Sequence, residues 1–330
     1  VCPLKEARVV RPLLEVRNLK THFFTRYGLG KAVDGVSFSV HEGETLGLVG
    51  ESACGKSVTC LSIVRLLQQP PGRIVGGEIL FEGEDLLKKS KQEMRRIRGK
   101  RIAMVLQDPM TSLDPVFSVG WQVGEAVRTH NRMDASDVRR RVRELLGLVK
   151  IPSPAVRMGE FPHQMSGGMR QRIVAAMALG CTPRLLIADE PTTSLDVTIQ
   201  AQVLKLLQEI QKTSGLSMLM VTHDFGIVAK ACDRVAVMYA GRIVESGDVR
   251  TVFQAPVHPY TVALMRSVPR LGRKVGRLFS IEGQPPDVRN LPPGCSFHPR
   301  CPQAMEVCRE RYPPETDLGQ GHAVRCWLSG

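Results

Sequence analysis

The sequence predicts an α/β protein: a mostly parallel sheet with an antiparallel β subdomain, an inserted α-helical subdomain and an irregular, cysteine-rich C-terminal extension. Three observations carry this expectation. Short apolar runs recur at Thr45–Val49, Ile102–Leu106, Leu185–Ala188, Met218–Thr222 and Val235–Tyr239, the texture of strands buried on both faces. Stretches with helical periodicity lie among them, at Ser57–Leu67, Val119–His130, Ser136–Val149 and Gly168–Leu179. Around Gln254 the texture turns proline-rich, with Pro256, Pro259, Pro285, Pro286, Pro292 and Pro293, which places a boundary there.

Ahead of the first buried run, Leu14, Val16, Val36, Phe38 and Val40 alternate around turn residues such as Asp34-Gly35, so antiparallel strands are expected between Leu14 and Val40. Between the second and third runs the helical stretches follow one another, and the inserted subdomain is expected over about residues 108–182. A main domain over residues 13–255 and an extension over 256–330 complete the plan, with no internal repeat.

A chain of 330 residues with 43% hydrophobic content can bury one large core. Its apolar runs fall far short of the roughly 20 residues needed to cross a bilayer. Val1–Pro12 lacks the apolar core of a secretory signal, which points to the cytoplasm. The net charge of +13 suits an anionic partner, whether nucleotide, nucleic acid or membrane surface, without choosing among them. Much of it sits in Met94–Arg101 and Arg139–Arg143, stretches that read as solvated helix faces.

The segment Gly50-Glu51-Ser52-Ala53-Cys54-Gly55-Lys56-Ser57 has the form G-x-x-x-x-G-K-[ST] and stands between an expected strand and an expected helix, the context of a phosphate loop. The fold this implies is that of a P-loop NTPase, RecA-like. Glycines let successive N–H groups turn inward on phosphate oxygens, and the helix running on through Val58 adds the positive end of its dipole. Lys56 is expected on the β and γ phosphates and the Ser57 hydroxyl on Mg²⁺. Further along, Leu185-Leu186-Ile187-Ala188-Asp189-Glu190 is an apolar strand ending in two carboxylates at the sheet edge where α/β proteins bind ligands. Asp189 is expected in the Mg²⁺ shell and Glu190 as the general base that deprotonates the attacking water.

With these elements in order, residues 13–255 resemble the ATP-binding-cassette superfamily. Met165-Ser166-Gly167-Gly168-Met169-Arg170-Gln171-Arg172 is similar to the family signature and begins a helix, where a serine and two glycines leave amides open to an anion. The resemblance implies that Ser166, Gly167 and Gly168 contact ATP held by a second cassette. It implies further that Gln107 touches Mg²⁺ and the attacking water, that Asp196 in Ser194-Leu195-Asp196 sits in the loop linking two cassettes, and that His223 contacts the γ-phosphate. Adenine would stack on Phe23, with Phe24 and Tyr27 as rivals. Met165 and Met169 depart from the commonest signature, which has leucine and glutamine there, and Ala53-Cys54 departs from the usual serine or glycine of the phosphate loop.

Gln107-Asp108-Pro109-Met110-Thr111-Ser112-Leu113-Asp114-Pro115, Phe161-Pro162-His163-Gln164 and Ala255-Pro256-Val257-His258-Pro259-Tyr260-Thr261 narrow the resemblance to the ATPases of oligopeptide and dipeptide importers, whose relatives also serve nickel and some sugars. The implied partners are a second ATPase, expected to be a related chain, two transmembrane permease subunits and, indirectly, an extracytoplasmic substrate-binding protein, at the cytoplasmic face of the membrane. A cassette ATPase acting on nucleic acid is the alternative. The expected heptad coils or second cassette of such proteins are absent from the sequence, and a P-loop GTPase would carry an N-K-x-D motif that is missing too.

Of nine cysteines, Cys295, Cys301, Cys308 and Cys326 form a C-x5-C-x6-C-x17-C cluster near the end of the chain. Four soft thiolates suit Zn²⁺ or an iron–sulfur cluster. The spacing is not that of a paired C-x2-C zinc ribbon, and the importer resemblance favours [4Fe–4S] over zinc, with four buried free thiols as the third possibility.

Overall fold

The computed structural model describes residues 12–106, 112–192, 195–267 and 279–329. Two sheets organise it. The first is antiparallel, in the order β2 (Gly28–His41), β1 (Pro12–Thr25), β4 (Gly72–Phe81), β5 (Glu84–Asp85). The second runs β11 (Thr316–Asp317), β12 (Ala323–Val324), β10 (Arg242–Asp248), β9 (Arg234–Tyr239), β3 (Thr45–Val49), β8 (Ser217–Thr222), β7 (Leu185–Asp189), β6 (Ile102–Val105). From β9 to β6 all neighbours are parallel, and every residue of β3, β7 and β8 is buried, as the continuous apolar runs require.

The expected turn at Asp34-Gly35 is a correction. The β1–β2 hairpin turns at Arg26-Tyr27, and Asp34-Gly35 lies inside β2, where Gly35 takes φ +88° and the register slips between Val33 and Val36. A bulge needs the same permissive residues as a turn, so the dipeptide alone does not tell the two apart. Asp34 is held there by the Arg242 guanidinium at 2.7 Å.

Most of the longer helices begin at side-chain caps, α1 (Lys56–Ile63) being an exception. It follows the phosphate loop and ends earlier than its periodicity promised, because Arg65 turns to φ +52°. α2 (Lys91–Ile97) starts in a full capping box between Ser90 and Glu93. The helical layer contains α3 (Val119–His130), α4 (Ala135–Leu148) capped by Asp134, the short α5 (Pro154–Arg157), and α6 (Gly167–Ala178) capped by Ser166. α7 (Val197–Ser214), α8 (Phe225–Ala231), α9 (Val249–Gln254), α10 (Pro259–Ser267) and α11 (Glu306–Glu310) complete the chain.

One core joins the two sheets through Leu14, Val36, Leu48, Ile63, Ile79 and Leu219. A second packs the helical layer on the outer strands, Val123, Val142, Leu146 and Ile173 against Val105 and Leu186. The third ties the C-terminal segment to the sheet, with Tyr260 and Phe297 packed among Val49, Val237 and Tyr239. Glu245, 1% exposed on β10, fastens this segment by accepting the Val257 N–H at 2.9 Å, the His258 N–H at 3.0 Å and, across 77 positions, a hydrogen bond with His322 Nε2 at 2.9 Å.

Candidate active site

Parallel strands in register bring the predicted chemistry to one edge of the sheet. Val49 pairs with Thr222, and Asp189 with Val221, so Gly50, Glu190 and His223 all follow directly from the carboxyl ends of β3, β7 and β8. The acidic strand is one strand removed from the phosphate loop, with β8 between them.

The loop is tightly built. A Cβ on Gly50 would stand 2.1 Å from the Met238 carbonyl, and one on Gly55, at φ +108°, 2.3 Å from the Ala32 carbonyl, so both positions need glycine. Ser52 and Ala53 are exposed at the tip, Ala53 with φ +63°. Cys54 is buried, its thiol pushed up by burial; its carbonyl accepts the Gly241 N–H at 2.9 Å, and its Sγ lies 3.7 Å from Lys56 Nζ, inside the loop rather than turned away from it. Gly55 caps α1 without any side-chain bond, which leaves the first-turn amides open to an anion. Lys56 Nζ donates to the carbonyls of Gly50 at 2.8 Å and Glu51 at 2.9 Å, folded back over the loop it serves. Val58 lies half-buried in the first turn.

Ser57 donates its hydroxyl to Asp189. The Asp189 side chain is 3% exposed, and among the described residues its Oδ1 has no hydrogen-bond partner. Burial pushes its carboxyl up, with the Ser57 bond acting against that shift. A buried carboxylate oxygen without a donor is costly unless a cation completes it, so Ser57 and Asp189 fit a divalent metal. Glu190 takes φ +48°, a left-handed conformation that costs a non-glycine residue about 1–3 kcal/mol. The Val221 carbonyl accepts its N–H at 2.9 Å, and its Oε1 lies 3.1 Å from His223 Nδ1. His223 is exposed, whereas the Glu190 side chain is 10% exposed, so the pair spans the step from sheet edge to solvent.

Ser166 caps α6 by accepting the Met169 N–H at 3.3 Å, and Ser166 and Gly167 are exposed. Gly168 is buried against α7, where a Cβ would stand 2.5 Å from Ile199 Cγ2. Met165 is buried and Met169 packs on the same core, so the two departures from the commonest signature serve packing. Asp196 caps α7 through the Ile199 N–H at 2.9 Å, with Val197 81% exposed beside it. Phe23 pairs with Gly30 and Gly72 and is half-buried, while Phe24 and Tyr27 are exposed. Gln107 and Ser194 lie outside the described residues.

Sequence reasoning passed over the groups that hold the loop from behind. The Glu51 carboxylate takes both ends of the Arg300 guanidinium, at 2.7 and 3.0 Å, and the Glu51 N–H donates to the Tyr260 hydroxyl at 2.9 Å. In the sequence Tyr260 appears only within the stretch that carries the importer resemblance, and an aromatic next to proline and an arginine next to Cys301 are the only local signals.

Cys295, Cys301, Cys308 and Cys326 line one narrow pocket with His258, Phe297 and Trp327. All four are free thiols. Burial, reinforced by the neighbouring thiols, pushes Cys295 up to about 11. Among the described residues no group of three or more His, Cys, Asp or Glu is placed to hold a single metal ion. Nor, among these residues, is any helix long and apolar enough to cross a membrane.

Residues 33–193 match the family model described as "ABC transporter", and residues 244–308 the model "Oligopeptide/dipeptide transporter, C-terminal region". The chain is 52% identical to the dipeptide transport ATP-binding protein of Bacillus subtilis, over 96% of this chain and 94% of that one. It is 50% identical to the oligopeptide transport ATP-binding protein of the same organism, over 97% and 90%. Among solved structures it is similar to CbiO1 of Clostridium perfringens, part of an ABC transporter complex, at 28% identity and a TM-score of 0.63, covering 74% of this chain and 91% of that one. Phosphate loop, acidic strand, signature helix and C-terminal region together agree with these matches, and the chain belongs to the ATP-binding-cassette family as an ATP-hydrolysing transporter subunit of its oligopeptide/dipeptide branch.

Proposed function

We propose that this subunit hydrolyses ATP at a site shared with a second cassette and thereby drives import of oligo- or dipeptides through a membrane complex. The observation that carries the chemistry is the Glu190–His223 contact of 3.1 Å at the ends of adjacent strands, beside the Ser57–Asp189 pair and the phosphate loop. As ATP enters, Lys56 exchanges the Gly50 and Glu51 carbonyls for the β and γ phosphates, and the open amides of α1 receive the remaining phosphate charge. Ser57 and Asp189 would hold Mg²⁺, which would supply positive charge to offset that of the phosphates. Glu190 takes a proton from water as its oxygen attacks the γ-phosphorus, the bond to the β-phosphate oxygen breaks, and ADP and phosphate remain. His223 holds the Glu190 carboxylate and reaches the γ-phosphate.

Phe23 stacks on adenine, Ser166, Gly167 and Gly168 close on the γ-phosphate of the partner cassette, and Asp196 lies in the loop between the two. An exposed helix N-terminus at Ser166 and the exposed Val197 beside Asp196 support this reading. Gln107 keeps the metal and water role that its resemblance gives it. Residues 13–255 act as the cassette and 256–330 as an extension whose four cysteines hold a [4Fe–4S] cluster, with zinc as the alternative; that the four thiols line one pocket supports this reading. The partners are a related ATPase and two permeases, with the chain peripheral on the cytoplasmic face and a substrate-binding protein outside. Peptide cargo rests on the relatives named for dipeptide and oligopeptide transport.

The Glu190→Gln variant tests the assignment. ATP binding should persist while turnover falls by a factor of about 10²–10⁴, the usual contribution of a general base. Near-normal single-turnover hydrolysis would sink it.

A further inference from the structure

The Arg300–Glu51 fork joins residues 249 positions apart, and its guanidinium is 5% exposed, its carboxylate 25%. Arg300 also donates from Nη1 to the Tyr239 hydroxyl at 3.3 Å and from Nε to the Glu282 carbonyl at 3.0 Å. Every polar group of Glu51 is thereby engaged: the N–H by Tyr260, the carbonyl by Lys56 and the carboxylate by Arg300. Tyr260 is itself locked between Tyr239 and Phe297, with ring centroids 4.6 and 5.3 Å away. The residue after Arg300 is Cys301, so the segment carrying the guanidinium belongs to the cysteine-lined pocket.

Glu51 is an awkward residue for the second position of a loop that binds a polyanion. Its charge opposes the incoming phosphates unless a cation at fixed distance cancels it. We propose that Arg300 is a positioning residue of the nucleotide site: it neutralises and pins Glu51, so that the C-terminal segment sets the affinity of the phosphate loop for nucleotide polyphosphate. This rests on the reading of residues 50–57 as that loop. The extension thus acts on the site directly from behind, with no second subunit required.

The test uses the full chain and titrates ATP and ADP at low salt, with melting curves as the check on folding. Arg300→Gln frees the Glu51 charge and should raise Kd for both nucleotides about tenfold. Adding Glu51→Gln removes the exposed charge and should recover most of the lost affinity, a rescue that a merely structural arginine does not allow. Should Arg300→Gln not fold, Arg300→Lys, which keeps the charge but loses the fork, is read in its place and should weaken binding less than tenfold but measurably, with the same rescue. An Arg300→Gln Kd within twofold of the parent, or a double variant as weak as the single one, overturns the proposal. Lys56→Ala, titrated alongside, separates the two readings: if it too binds normally, the phosphate-loop assignment fails, and if it abolishes binding while Arg300→Gln does nothing, only the role of Arg300 fails.

Discussion

Replacing Glu245 by alanine should release the C-terminal segment from the sheet. The side chain is buried and satisfies three donors: two successive backbone N–H groups, at the half-buried Val257 and the buried His258, and His322, itself 5% exposed. Each buried donor left without a partner costs about 1–3 kcal/mol, and partial relaxation keeps the total for three near 4 kcal/mol. That is a large share of the roughly 5–15 kcal/mol by which domains are stable. At about 2–4 °C per kcal/mol for chains of this order, the melting midpoint should fall by about 10 °C. Glutamine retains one acceptor oxygen and turns an N–H₂ toward the other donors, so Glu245→Gln should lose about half as much. Calorimetry reads the midpoint, and hydrogen exchange at the Val257 and His258 amides reports whether the segment itself has opened. An alanine variant that melts within about 2 °C of the parent, with both amides still protected, would refute the argument that this carboxylate is the fastening point.

Other perturbations reach other parts of the molecule. Protein prepared anaerobically should be brown and carry about four irons per chain, a cluster held by four cysteinates; stoichiometric zinc without iron would replace that reading. Mixing Ser166→Arg cassettes with Lys56→Ala cassettes, in the homodimer or across a related pair, should restore one shared site and measurable ATPase activity, since each defect then falls in a different composite site; absence of rescue in both arrangements counts against sharing. Burial lowers His258 from 6.5 to about 4, and its Nδ1 accepts the Tyr260 N–H, which requires the neutral ring. The unfolded chain therefore takes up the proton first as pH falls below about 6.5, and stability contributed by His258 declines by about 2 kcal/mol at pH 5 and levels off below pH 4. Denaturant midpoints at pH 7 and 5 measure this, and a His258→Gln variant should show a flatter pH dependence.

The buried strands were legible because a two-sided burial leaves an unbroken apolar word: β3 reads as its burial pattern does, and β7 announces both its body and its acidic end. The helical layer was legible for the complementary reason, a period that α3 reproduces from Val119 to His130. Less visible were elements whose signal is shared with something else. Asp34-Gly35 serves a bulge with residues that also make turns, and β4 contains Gly76 and Gly77, the latter at φ +95°, which breaks its pattern. In the site, motif spacing marked the side chains that face nucleotide. It could not mark Arg300, Tyr260 or Glu245, because their partners lie 249, 209 and up to 77 positions away, and no local pattern records a contact made across the fold. The strain at Glu190 was equally silent, since a left-handed φ on a glutamate leaves no compositional trace.

The two short strands at the end of the chain have a consequence for handling the cassette by itself. β12 pairs with β10 at Glu245 and Ser246, and the Arg325 N–H donates to the Val244 carbonyl at 2.8 Å, so the last residues occupy the hydrogen-bonding margin of the main sheet. β11 then closes that margin with only two residues, a length too short to recruit a foreign strand. A cassette cut after Gln254 would present β10 as an open edge, with the buried Val244, which packs with Tyr260 and Phe297, newly in reach of solvent. Such a fragment should aggregate by strand addition, which makes the final residues a guard against self-association as well as an appendage.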